Sequence, residues 1–114
     1  MKAFQSLKKN WEFQEVFKKG QSYYNAWLVL YVCPLPEQAS QLKVAFCVGK
    51  KLGTAVRRNR IKRKMKHAFL ALKDQVKSGY KLIIIARGRV EEQEYARLCR
   101  SLQELINQAG LLRS

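Results

Sequence analysis

Between positions 61 and 76 apolar residues recur at intervals of three and four: Ile61, Met65, Ala68, Phe69, Leu72 and Val76. At helical pitch these positions fall on one stripe, which predicts an amphipathic helix with that stripe against a core. Gly53 breaks the preceding strand, and Thr54 caps the helix by accepting a free amide of the first turn on its side-chain oxygen. A shorter face of Phe13, Val16 and Phe17 predicts an earlier helix. Asn10 is its N-cap, Glu12 suits the positive end of its dipole and Gly20 takes the C′ position. Leu98, Leu102, Leu105, Ile106 and Ala109 mark a last helix, opened by Glu91, Glu92 and Glu94 and closed by Gly110.

Between the helices the pattern changes to period two or to unbroken apolar runs. Gln21 to Asn25 reads as a short strand, Trp27 to Cys33 as a clearer one ended by Pro34, and Leu42 to Val48 as a third. After Gly79, Tyr80 to Arg87 forms the fourth. Its continuous stretch Leu82 to Ala86 suits a strand covered on both faces and paired in parallel. Pro34 to Gln41 is a polar loop. The resulting order, α-β-β-β-α-β-α, is an α+β sandwich on a four-stranded mixed sheet.

Composition adds bounds. A chain of 114 residues with 47% hydrophobic content fits one domain over residues 1–114 that buries about two-thirds of its unfolded surface. Met1 to Lys9 are basic and expected to be loose until bound. Cys33, Cys47 and Cys99 are odd in number, lack CxxC spacing and read as reduced core thiols of a cytoplasmic protein. No secretory signal is visible, and the longest apolar run, Ala26 to Cys33, is too short to span a bilayer.

Charge changes the picture most. The net charge is +15, and nine of the 23 Lys and Arg residues lie between Lys50 and Lys66, in a stretch from Gln38 to Lys73 that contains no acid. Such density weakens the compact state unless a polyanion neutralises it, which points to a phosphate-rich partner. The helix lacks the glutamates four residues ahead that a merely solvated charged face uses. Its apolar stripe is needed for the core, which argues against a membrane. Arg57 and Arg58 project near the apolar edge, so the first turn is expected to overhang the core.

A protein nuclease needs clustered carboxylates for metal, or an acid and a base within reach of the phosphate. The acids here are scattered, His67 lies on the charged helix facing solvent or a partner, and Gly49 and Gly53 lack the spacing of a phosphate-binding loop. The protein alone is therefore read as non-catalytic, with no metal of its own.

The run from Val44 to Arg63, with Arg58-Asn59-Arg60 at its centre, resembles the signature of the protein subunit of bacterial ribonuclease P. The likeness continues through Leu7, Lys8, Lys9, Asn10, Phe13, Gln14, Val16 and Phe17, through Leu28 to Tyr31 and Ile83 to Arg87, and into Leu102 to Leu112. That resemblance implies a left-handed strand-helix-strand crossover through the basic helix, against the right-handed rule that holds in about 98% of cases. It also implies the role of a ribonucleoprotein subunit that removes the 5′ leader of precursor tRNA. Its partners would be a catalytic RNA and precursor tRNA, with no membrane and no obligate protein partner. Magnesium would be held mainly by the RNA. Carried over by motif, Arg57, Arg58, Asn59, Arg60, Lys62, Arg63 and Lys66 would face the catalytic RNA. Phe13, Phe17, Tyr31, Phe46, Lys50 and Lys51 would meet the leader. Gly49 and Thr54 depart from the serine and asparagine common at those places, which weakens any hydrogen-bonding role there.

Residue by residue, the same side chains have plainer uses. Phe13, Val16 and Phe17 could simply pack a core, and Tyr31 and Phe46 an ordinary sheet face. A ribosomal or chaperone-like RNA-binding protein, or a basic protein of membrane surfaces or compacted DNA, would show the same charge. Composition separates none of these; the spacing around Asn59 does.

Overall fold

The computed structural model describes residues 4–113. Its elements in chain order are β1 (Gln5–Ser6), α1 (Asn10–Lys19), β2 (Gln21–Tyr24), β3 (Leu28–Pro34), β4 (Leu42–Cys47), α2 (Ala55–Leu72), β5 (Tyr80–Ala86) and α3 (Tyr95–Gln108). The strands form one mixed sheet in the order β1-β4-β5-β3-β2. β5 lies at the centre, parallel to β4 and antiparallel to β3, so the expectation of parallel pairing holds on one side only.

The sheet has five strands, not the expected four. The extra one is β1, two exposed polar residues that run parallel to β4. Backbone geometry holds it, with the Leu7 N–H donating to the Val44 carbonyl at 3.2 Å, so no side-chain pattern announced it. Beside β1 the chain packs at two points, with Leu7 buried on one side and the Phe4 ring against Phe69 on the other. Met1 to Ala3 lie outside the described residues.

Each face of the sheet carries its own layer. Leu28, Leu30, Val32, Leu42, Val44, Leu82 and Ile84 pack against the α2 stripe of Ile61, Met65, Ala68, Phe69 and Leu72 and against Leu98, Leu102, Leu105 and Ile106 of α3. Cys33, Ala45 and Ile83 on the opposite face pack with Leu7 and with Val16 of α1. Val76 falls beyond the end of α2, bridged to Leu112, but stays in the same core.

The handedness of the β4-α2-β5 crossover follows from chirality. Val44 turns its side chain toward α2 and its carbonyl toward β1. Viewed from the α2 side with β4 running up, the carbonyl of such an L-residue points right. β1 therefore lies to the right of β4, and β5 to its left. The chain leaves β4, passes through α2 in front of the sheet and re-enters one strand to the left. The crossover is left-handed.

The helix ends depart from expectation in instructive ways. Lys9, not Asn10, is the N-cap of α1, and it makes no side-chain cap bond. Three residues on, the Glu12 backbone N–H donates to the Lys9 carbonyl at 3.0 Å. Gly20 follows α1 with an extended backbone, and what excludes a side chain there is space: a Cβ would stand 2.5 Å from the Val16 carbonyl oxygen and 2.7 Å from that of Val32. At α3 the N-cap is Glu94 without a cap bond, and no acid occupies the first turn. Glu92 sits in the 3-10 turn Val90–Glu92, and the side chain of Glu91 lies outside what is described.

Candidate nucleic-acid interface

The basic helix begins where sequence placed it. Gly53 takes φ +128°, a conformation that side chains rarely adopt, and Thr54 Oγ1 accepts the Arg57 N–H at 3.3 Å. Between β4 and this turn, Lys50 and Lys51 stand exposed on the 3-10 turn Lys50–Leu52. Arg58 is half-buried, its Nε donating to the Gly53 carbonyl at 3.3 Å, so its guanidinium braces the turn that starts the helix. Arg57, Asn59, Arg60, Lys62, Arg63, Lys66 and His67 are exposed along the outer surface of α2.

α1 crosses the opposite face of the sheet and covers it incompletely. Glu12 reaches Lys43 of β4, and Gly20 closes on Val32 of β3, so the helix spans three strands over one end of the sheet. Under it Cys33, Ala45 and Ile83 are buried. The next row across the sheet, Val29, Ile85 and Cys47, is only half-buried. These three residues floor a trough beside α1, a surface that sequence reasoning missed because nothing in a strand's pattern says how far a helix will cover it. Phe13 and Tyr31 stand half-buried over it, and Phe17 is 45% exposed. The rings of Phe17 and Tyr31 meet edge-on at 4.8 Å.

Phe46 is separated from these rings. Strand residues alternate faces, and the register puts Ala45, not Phe46, in the row of Tyr31 and Ile83. The Phe46 ring therefore joins Phe4 and Phe69 on the α2 side, with centroids 6.3 and 5.9 Å away. β1 ends at Ser6, which leaves the edge of β4 without a neighbouring strand from Ala45 onward. A groove of about 430 Å³ opens there between the helices, with Phe13, Ala45 and Phe46 on one side and Lys62, Arg63 and Lys66 on the other. Thus one surface feature joins members of the aromatic set to members of the basic set.

Beneath α1 lies a charged cluster that the sequence did not reveal. Lys81 of β5 is 3% exposed; its Nζ donates to Glu15 at 2.7 Å, lies 3.7 Å from Glu12 and sits 4.8 Å from the centre of the Trp11 ring. Lys43 donates to Glu12 at 3.1 Å. Burial alone would push the Glu12 carboxyl up, but the Lys43 hydrogen bond and the charges of Lys43 and Lys81 hold it below its ordinary value. The hydrogen bond from Lys81 does the same for Glu15, and burial of Lys81 is outweighed by its two carboxylates, so its ammonium is held above the usual range.

Among the described residues no group of three or more His, Cys, Asp and Glu side chains could hold a metal ion, and no helix is long and apolar enough to cross a membrane. Cys33, Cys47 and Cys99 are free thiols, and burial pushes those of Cys33 and Cys47 up. Such thiols are poor nucleophiles.

Comparison with known proteins yields consistent matches. A family model described as Ribonuclease P matches residues 1–110. The ribonuclease P protein component of Geobacillus kaustophilus is 42% identical over 113 residues, 99% of this chain and 93% of that one. That of Geobacillus thermodenitrificans is 44% identical with the same coverage. Among solved structures, the RNase P protein of Staphylococcus aureus superposes with a TM-score of 0.85 at 32% identity, over 97% of this chain and all of that one. The Thermotoga maritima RNase P protein shares the fold, with a TM-score of 0.81 at 23% identity over 91% of this chain and 96% of that one.

Proposed function

Because this chain belongs to the ribonuclease P protein family, we propose that α2 binds the family's catalytic RNA while the trough beside α1 takes the 5′ leader of precursor tRNA. The broader role is that of a ribonuclease P subunit acting with RNA in tRNA 5′ processing. The finer reading rests on one observation above others. The groove at the open edge of β4 has aromatic and apolar carbon from α1 and the sheet on one wall and three cations of α2 on the other.

A single strand of RNA needs rings for its bases and cations for its phosphates, and its unpaired bases are free to splay onto both. Phe13, Phe17 and Tyr31 supply rings, with Val29, Ile85 and Cys47 as an apolar floor. Lys50 and Lys51 lie beyond the end of β4, on the path a strand would follow out of the trough. Phe46 contributes where it lines the groove. On α2, Arg57, Arg58, Asn59, Arg60, Lys62, Arg63 and Lys66 meet structured RNA. Arginine forks match paired phosphate oxygens, and the Asn59 amide adds a donor and an acceptor of fixed geometry.

The protein's role in cleavage is to position RNA. Magnesium, held by the RNA, would activate water and stabilise the leaving oxygen during phosphodiester hydrolysis. Glu12 and Glu15 on α1 are unsuited to hold it, since Lys43 and Lys81 already neutralise them.

The deciding experiment is cleavage of a 5′-extended precursor tRNA at low magnesium by a bacterial ribonuclease P RNA, with and without this protein. Restored cleavage at the mature 5′ end, with none from the protein alone, supports the reading. Binding to RNA without any change in rate sinks it in favour of a purely structural RNA-binding role.

A further inference from the structure

Helix α2 has two basic flanks. Lys62 and Lys66 border the groove shared with α1, whereas Arg60, Lys64 and His67 border a separate pocket of about 290 Å³ against Tyr95, the first residue of α3. Arg63 borders both. Positions 60, 63, 64 and 67 recur at three and four, so they form a second stripe along the helix, distinct from the buried one.

The second pocket combines a mostly apolar lining with a ring of positive charge. Tyr95 is 44% exposed, a large aromatic left open on a surface where every other lining side chain is basic. Lys64 Nζ donates to the Gln93 carbonyl at 2.9 Å and ties α2 to the segment that precedes α3, fixing the far wall. A flat ring system carrying an anion matches this pocket, and an unpaired nucleotide has that chemistry: every base has a face to stack, and each phosphate a charge for Arg60 and Arg63.

We propose that this pocket holds one unpaired nucleotide of the catalytic RNA, its base on Tyr95 and its phosphate between Arg60 and Arg63. The inference rests on the reading of α2 as the face toward that RNA. The catalytic RNA is the source because the leader is assigned to the opposite flank of the helix, beside α1. Arg63, which borders both spaces, then stands between the two RNAs.

The test measures binding of a bacterial ribonuclease P RNA to the full chain, wild type against Tyr95→Ala and Tyr95→Phe, over a series of salt concentrations. Tyr95→Ala is expected to weaken binding about 5- to 150-fold, the range for loss of one stacked base, while the salt slope stays put because no phosphate contact is lost. Tyr95→Phe keeps the ring and should retain the affinity. Chemical probing of the bound RNA should show one nucleotide that is protected by the wild type and by Tyr95→Phe and reactive with Tyr95→Ala. Unchanged affinity for Tyr95→Ala overturns the proposal. So does a loss seen only once precursor tRNA is added, which would assign the nucleotide to the substrate, or an equal loss in Tyr95→Phe, which would make the hydroxyl and not the ring the relevant feature. Failure of the wild type to bind this RNA at all overturns the functional reading beneath the proposal as well.

Discussion

Phe17 and Tyr31 meet edge to face, with the ring centres 4.8 Å apart and the planes at 85°. Phe17 thereby supports Tyr31 while keeping 45% of its own surface exposed. Phe17→Ala should weaken binding of a 5′-extended precursor tRNA by about 1–3 kcal/mol and leave mature tRNA almost unaffected. Equal losses for the two ligands would return the ring to a packing role. A double-mutant cycle with Tyr31→Ala should show a coupling of about 0.5–1.5 kcal/mol.

Arg58 and Arg60 sit two residues apart and should behave differently. Arg60 is exposed, so Arg60→Ala should change stability by no more than about 0.5 kcal/mol. Arg58→Ala also removes the bond to the Gly53 carbonyl and should cost about 0.5–1.5 kcal/mol of folding stability. In a salt titration of binding to the catalytic RNA, each should reduce the logarithmic slope by about 0.7–0.9 per lost phosphate contact. An unchanged slope for either would place that residue outside the interface.

The ion cluster under α1 sets a pH window for folding. Glu12 and Glu15 have folded-state values below their ordinary 4.5, so their contribution is complete above that pH and is lost as pH falls through the folded values. Lys81 is raised above 10.5, so its contribution is complete below that pH and fades as pH rises through the folded value. Thermal unfolding followed by circular dichroism should show both losses. Lys81→Met takes the ammonium from Glu15, leaves Glu12 with Lys43 alone, and should cost about 1–3 kcal/mol near neutral pH. In that variant the acid limb should flatten; an acid limb as steep as in the wild type would show that other groups govern it.

Gly20→Ala should destabilise the fold by about 1–3 kcal/mol. The added Cβ would press on two carbonyl oxygens, at 2.5 and 2.7 Å, and backbone cannot rotate away as a side chain can. Urea unfolding provides the measure, and a loss below a few tenths of a kcal/mol would mean that α1 can lift from β3 without cost.

How much of this was legible in the sequence depended on whether a residue's neighbours lay near it in the chain. The stripe from Ile61 to Leu72, the Thr54 cap and the Gly53 turn are local, and each appears where the spacing put it. β1 was not legible, because two polar residues joined through backbone atoms leave no pattern. Nor was the separation of Phe46 from Tyr31. Both faces of the sheet are apolar, so alternation alone cannot say which face each strand turns toward α1, and only the register decides. Lys81 precedes the apolar run of β5, and its burial depends on Glu12 and Glu15, 69 and 66 positions away, a pairing visible only once α1 lies across the sheet. Tyr95 is a single ring at a helix start; its setting exists only because α3 returns beside α2.

The central position of β5 has a consequence for how the molecule is made. β2 and β3 are adjacent in the chain and can pair as a hairpin early, but the strand that joins β3 to β4 is synthesised only at residues 80–86. Until it emerges from the ribosome, β4 has no central partner and the stripe of α2 has half a floor to rest on. Folding of the sheet thus waits for three-quarters of the chain, and its long-range pairings make the final step slow relative to helix formation. During that interval the strongly basic α2 segment is already outside the ribosome, among RNA, with no completed domain to hold its apolar side.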